Sequence, residues 1–278
     1  MKFIKSQEWL MNHLNDTNVR IVDCRFELGK PDAGKEVYSK SHIPGAIYFD
    51  LEDDLSDIPT EHGGRHPLPD LHQLKVKLQK AGIDSASKVI AYDSGEGSYA
   101  ARFWWLLTYM GHTNVFILDG GFSKWVEDGN EVSEVIPILE ETIFTMNPQV
   151  DMLATFEEVK NIVQNSSAIL IDSRAKNRYL GIEEPIDKKP GHIPGALNIV
   201  WEEGFANGSW KSAEEQRERF SHLDPTKPII VYCGSGVTAT PNYIALIESG
   251  FTNVKLYAGS YSDWVSYQEN PVELGEKQ

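Results

Sequence analysis

His42-Ile43-Pro44-Gly45-Ala46 recurs without change as His192-Ile193-Pro194-Gly195-Ala196, displaced by 150 positions. The repetition extends in both directions. Upstream of each block an apolar run ends in an acid and an arginine: Ile21-Val22-Asp23-Cys24-Arg25 and Leu170-Ile171-Asp172-Ser173-Arg174. Downstream, Val89-Ile90-Ala91-Tyr92-Asp93 pairs with Ile229-Ile230-Val231-Tyr232-Cys233. Later still, the stretch from Val115 to Trp125 pairs with that from Val254 to Trp264. Four blocks in one order, twice, with a period near half the chain, indicate a duplicated domain rather than a solenoid of short units. A chain of 278 residues is long enough for each copy to bury its own core.

Within each copy, short β-branched runs (Val19–Val22, Val89–Tyr92, Val115–Leu118 and their partners) alternate with longer stretches of helical spacing. Leu71, Leu74, Leu78 and Ala81 recur at helical intervals; so do Phe103, Leu106, Leu107 and Met110, and Tyr243, Ile244, Ile247 and Phe251. This predicts an α/β fold of two tandem domains, each a mostly parallel sheet flanked by helices. The expected domains are 1–135 and 151–278, joined by a partly extended linker over 136–150 that contains Pro137 and Pro148.

Composition narrows the function classes. A formal net charge of −15 disfavours nucleic acid and anionic membranes, which need basic patches. No run approaches the roughly 18 apolar residues of a membrane span, and the N-terminus lacks a signal-like apolar stretch. Cytoplasm is the expected compartment. The two cysteines, Cys24 and Cys233, form no disulfide framework, and neither a metal nor a cofactor is implied. Cys24 lies on an apolar strand opposite Ser173 in the repeat and reads as a buried structural residue. Arg25 and Arg174 occur in both copies and read as partners of nearby acids.

Chemistry concentrates at Val231-Tyr232-Cys233-Gly234-Ser235-Gly236-Val237-Thr238-Ala239. A strand should end at Tyr232 and a helix begin near Val237 or Thr238. Backbone N–H groups of Gly234, Gly236, Val237 and Thr238 then converge as an anion-binding nest at a helix N-terminus, stabilising negative charge on the Cys233 sulfur. Two glycines flanking Ser235 let the backbone approach closely or adopt positive φ, which packing alone seldom requires twice in three residues. A phosphatase loop would need an arginine at its end to hold phosphate; Ala239 stands there instead. The position matching Cys233 in the first copy is Asp93, which has no thiol.

Cys-Gly-Ser-Gly-Val-Thr after a strand, the paired His-Ile-Pro-Gly-Ala blocks and the late Gly-to-Trp blocks resemble the tandem rhodanese family along essentially the whole chain. The loop is similar to that of 3-mercaptopyruvate sulfurtransferases; thiosulfate sulfurtransferases usually carry basic residues after the cysteine. The resemblance implies a catalytic second copy and an inert first. It implies a Cys233 persulfide charged by a small anionic donor and discharged to a thiol acceptor such as thioredoxin, or to cyanide. Thiosulfate as donor, or a non-turnover persulfide relay, are the competing readings. Ser235 either assists the sulfur or the leaving group, or satisfies the loop backbone. The family pattern links that serine to a histidine and an aspartate of the first domain, matched here by His42 and Asp32. His42 is also open to a structural reading, because His192 repeats it. Arg178, without counterpart in the first copy, matches the arginine that holds the donor carboxylate. Where such enzymes carry a second arginine after Glu-Pro, this chain has Ile186-Asp187, then Lys188 and Lys189.

Overall fold

A computed structural model describes residues 1–276. They group into two compact units. The first comprises 1–57, 68–149 and 206–210; the second comprises 58–67, 150–205 and the chain from 211 onward.

The first unit holds strands β1 (Ile4–Lys5), β2 (Val19–Asp23), β3 (Ala46–Tyr48), β4 (Lys88–Tyr92) and β5 (Val115–Leu118), in spatial order β1-β5-β4-β2-β3. The pairings are all parallel. Parallel neighbours require crossovers, supplied by helices α1 (Gln7–His13), α2 (Ala33–Lys40), α3 (Leu71–Lys80), α4 (Ser98–Tyr109) and α5 (Gly121–Glu127). Ten of the twelve α4 residues are buried, among them Trp104 and Trp105. That explains why its sequence is apolar on nearly every side. α3 starts where the Asp70 carboxylate accepts the N–H groups of His72 and Gln73.

The second unit repeats the plan with β6 (Ile169–Asp172), β7 (Leu197–Asn198), β10 (Ile229–Tyr232) and β11 (Val254–Leu256), ordered β11-β10-β6-β7, again all parallel. In sequence between β7 and β10, β8 (Phe205–Ala206) and β9 (Ser209–Trp210) form a hairpin turning at Asn207 and Gly208, both at positive φ, of which residues 206–210 group with the first unit. The helices are α6 (Phe156–Asn165), α7 (Lys176–Tyr179), α8 (Ala213–Arg219), α9 (Thr240–Glu248) and α10 (Ser260–Trp264). The last four strands of the first unit and the four sheet strands of the second share one spatial order, as a duplication requires.

The repeated sequence blocks prove to be one buried polar staple made twice. Parallel register sets Tyr92 beside Asp23 and Tyr232 beside Asp172. Arg25 reaches back to Asp23 at 2.6 Å and donates to the Ser41 carbonyl; Arg174 does the same with Asp172 at 2.6 Å and the Gly191 carbonyl. The Tyr92 hydroxyl donates to Asp23 at 2.7 Å and accepts the Ile43 N–H; the Tyr232 hydroxyl accepts the Ile193 N–H. His42 stacks on Tyr38, and His192 on Tyr179, each with Nδ1 against that tyrosine's carbonyl oxygen. Buried charges persist only when paired and hydrogen-bonded, and here the Asp–Arg pair at the centre is supplied by repeated residues in both units.

Residues 136–149, expected as a linker, group with the first unit. Phe144 is buried, and the N–H groups of Thr142, Asn147 and Gln149 bond to the carbonyls of Gln79, Met110 and Tyr109. The lack of periodicity in this stretch reflects an extended chain held by its backbone, a pattern that side-chain spacing does not record. Trp125 and Trp264 are core residues in their respective units, their indole N–H groups donating to Glu131 and Pro271 carbonyls.

Candidate functional site

Cys233 follows directly on β10 and is 1% exposed. Its backbone is pinned on both sides: its N–H donates to Ser260 Oγ at 3.1 Å, and its carbonyl accepts the Tyr261 N–H at 2.9 Å. The chain then turns through Gly236, at φ 76°, whose N–H donates to Cys233 Sγ at 3.2 Å. A Cβ at Gly236 would collide with the Ala258 carbonyl, so both the positive φ and the close approach require glycine. α9 starts at Thr240, later than the spacing suggested. Pro241 occupies its first turn and the Thr240 hydroxyl donates to Val237, keeping Val237–Ala239 in the turn.

The corresponding loop of the first unit shows what such amides hold. Asp93 lies at the position of Cys233, and its carboxylate accepts four backbone N–H groups. Gly95 and Gly97 donate to Oδ1, and Tyr99 and Ala100 to Oδ2, all at 2.9–3.1 Å. The loop is an anion cradle filled by its own side chain.

Ser235 is 8% exposed, and its hydroxyl lies 2.8 Å from Nδ1 of His66, itself buried. The histidine bonded to Ser235 is therefore His66. His42 belongs to the first unit, is fully buried, and has both ring nitrogens facing carbonyl oxygens, Tyr38 at 2.7 Å and Val135 at 3.1 Å. Its Nδ1 contact to the carbonyl of a stacked tyrosine is repeated at His192. Asp32 is an exposed residue preceding α2 whose side chain makes no cap bond. Neither belongs to the unit that contains Cys233.

His66 comes from Ile58–Pro67, a segment of the first half of the sequence that groups with the second unit. Its placement is specific. Gly63 N–H donates to Asp263 at 2.7 Å, Arg65 N–H donates to Ser262 Oγ at 3.1 Å, and His62 stacks on Tyr267 with ring centroids 3.9 Å apart. Gly64, at φ 86°, lies against the Gly259 carbonyl where a Cβ would not fit.

Two guanidinium groups reach the cysteine loop. A Cβ placed on Gly234 would meet Arg65 Nη2 at 2.7 Å and Arg178 Nη1 at 3.5 Å. Arg178 is carried by α7 and is held by Glu184 at 2.8 Å and Asp187 at 2.7 Å. Arg65 pairs with the other oxygen of Asp187. Glu184 also meets Arg174 at 3.1 Å. Burial pushes the Asp187 carboxyl up, with the Arg65 charge pulling the other way. Burial acts likewise on Glu184, but the Asp187 N–H and Arg178 outweigh it and hold that carboxyl below its ordinary range. A cavity of about 170 Å³ opens here, lined by Thr60, Arg65, Asp187, Lys188, Ser262 and Ser266.

Arg65 and His66 escaped the sequence reading, although a signal was present. Gly63-Gly64-Arg65-His66-Pro67 has no counterpart in the second copy, the same asymmetry that singled out Arg178. Cys24 is buried, and burial followed by the charge of Asp23 raises its thiol well above the ordinary range, consistent with a packing role.

The rhodanese-like domain family matches residues 6–128 and 155–267. The Pseudomonas aeruginosa protein named "Probable 3-mercaptopyruvate sulfurtransferase" is 39% identical over 274 residues, covering 96% of each chain. The thiosulfate sulfurtransferase of Mus musculus is 32% identical over 272 residues, covering 93% of this chain and 90% of its own. Among solved structures, SseA from Escherichia coli, described as a 3-mercaptopyruvate sulfotransferase of rhodanese fold, superposes with a TM-score of 0.82. It is 33% identical and covers 94% of this chain and 99% of its own.

Proposed function

The chain belongs to the rhodanese-like domain family, and from that premise we propose that it is a sulfurtransferase taking sulfur from 3-mercaptopyruvate onto Cys233. The observation that carries this reading is the Cys233 loop itself, with an amide on the sulfur, Arg65 and Arg178 over Gly234, and Ser235 bonded to His66.

In the first half-reaction the Cys233 thiolate attacks the donor sulfur. An S–S bond forms, the C–S bond breaks, and its electron pair leaves on pyruvate as the enolate, which then takes a proton. Arg178, with Arg65 beside it, holds the donor carboxylate by charge-assisted hydrogen bonds. The Ser235 hydroxyl, bonded to His66, stands ready to donate to the departing enolate. Backbone N–H groups at Gly234, Gly236, Val237 and Thr238 stabilise the anionic outer sulfur of the persulfide. In the second half-reaction a thiol such as reduced thioredoxin, or cyanide, attacks that outer sulfur and restores the Cys233 thiolate. The order predicts ping-pong kinetics. Cytoplasm suits this cycle, because a reducing compartment supplies thiol acceptors. Among the described residues no helix is long and apolar enough to cross a membrane.

Intact mass tests the reading directly. Incubation with 3-mercaptopyruvate should add one sulfur atom, about 32 Da, and Cys233→Ser should abolish the gain. A gain that survives the substitution would remove Cys233 as the sulfur carrier, and none with any small donor would overturn the enzyme and favour a relay charged by a partner protein. Thiosulfate is the competing donor, in line with the relatives named for it. The uncharged Gly234, Ser235 and Gly236 oppose it, and kcat/KM for the two donors decides between them.

A further inference from the structure

The charged groups around Arg178 form one connected set: Arg65, Arg174 and Arg178 against Asp172, Glu184 and Asp187. Three cations meet three anions, so a site expected to hold an anion is already neutral before any donor arrives. The cavity beside it adds Glu61 and Lys188, again one of each sign. Asp187 occupies the decisive place. Its side chain is 1% exposed, with Oδ1 on Arg65 and Oδ2 on Arg178, and those two guanidinium groups are the ones that lie over Gly234. A carboxylate bridging two arginines fixes their separation and takes one N–H from each fork. Glu184 takes Nε and a second Nη2 N–H of Arg178, which leaves the Nη1 edge of that fork, together with the rest of the Arg65 fork, for an incoming anion at a site whose surplus positive charge has been cancelled.

We propose that Asp187 determines donor specificity: by clamping Arg65 to Arg178 and cancelling their surplus charge, it admits a donor with a single carboxylate and rejects a dianion. This rests on the sulfurtransferase reading and deepens it. A monoanion can replace water on the free edges of the two forks without a strong net repulsion. A second negative charge at the same place faces the Asp187 and Glu184 carboxylates with no unspent cation to offset it. Asp187 does not touch the reacting sulfur, and acts through the arginines as a positioning residue.

The test is steady-state kinetics at fixed ionic strength with cyanide as acceptor. Wild type is compared with Asp187→Asn, which keeps the shape and removes the charge, and Asp187→Glu, which keeps the charge. In Asp187→Asn, KM for thiosulfate should fall at least tenfold relative to KM for 3-mercaptopyruvate, while Asp187→Glu should retain the wild-type ratio. A ratio unchanged in Asp187→Asn, or both KM values rising together, would overturn the proposal and leave Asp187 a structural clamp. Competitive inhibition of the wild type supplies a measure independent of how the variants fold. Pyruvate should bind more tightly than sulfate, and the reverse order would also overturn the proposal. Failure of the sulfurtransferase reading is distinguishable, because the wild type would then gain no sulfur from either donor.

Discussion

Glu96 illustrates how one side chain carries a consequence for stability. Burial, and then the neighbouring charge of Asp93, pushes its carboxyl up to about 7 from an ordinary 4.5. The folded chain therefore binds this proton more tightly than the unfolded chain. The resulting stabilisation is fully present below pH 4.5 and is lost as pH rises through about 7. After allowance for partial exposure it amounts to about 2 kcal/mol. Thermal melting from pH 5 to pH 7.5 should show a downward contribution that Glu96→Gln removes; identical slopes would refute the assignment. At the same scale, the contrast between His42 and His66 separates what a residue type can suggest from what its neighbours make of it. Both are buried histidines. One has its ring nitrogens against backbone carbonyls, and the other has Nδ1 against the hydroxyl of Ser235 in the cysteine loop.

At the scale of the element, the strand-turn-helix unit built by β10, its loop and α9 makes the cradle. Its tolerance is narrow at Gly236. An alanine there must adopt φ near 76° and displace the Ala258 carbonyl. Gly236→Ala should destabilise the protein by about 1–3 kcal/mol. It should also slow sulfur loading, since the Gly236 N–H would leave the sulfur. Unchanged melting and loading would show the turn to be adaptable. This element was legible in advance because glycines interrupt a buried apolar run at fixed places. The start of α9 was not, because the Thr240-to-Val237 bond that delays the helix leaves no periodic trace. The same holds for residues 136–149, whose attachment is through backbone hydrogen bonds that any side chain could accompany.

For the whole molecule, duplication left one cradle occupied by Asp93 and the other ending in a thiol. The site also draws on a segment far away in sequence, since Arg65 and His66 come from the first half and group with the second unit. Arg65→Ala in the full chain should raise KM for 3-mercaptopyruvate about tenfold, the cost of roughly one charge-assisted hydrogen bond. An unaffected KM would remove Arg65 from the donor site.

The sequence by itself determined the duplication and the parallel α/β plan, and it singled out Cys233 as the proposed nucleophile, set against Asp93 in the first copy. These are local patterns: apolar periods, glycine positions and a cysteine set against an aspartate. Only the tertiary structure decided which histidine meets Ser235, that Arg65 joins Arg178, and that Asp187 sits between them. The contacts of His66 with Ser235 and of Arg65 with Asp187 join residues more than a hundred positions apart, and the linear spacing of side chains carries no record of that.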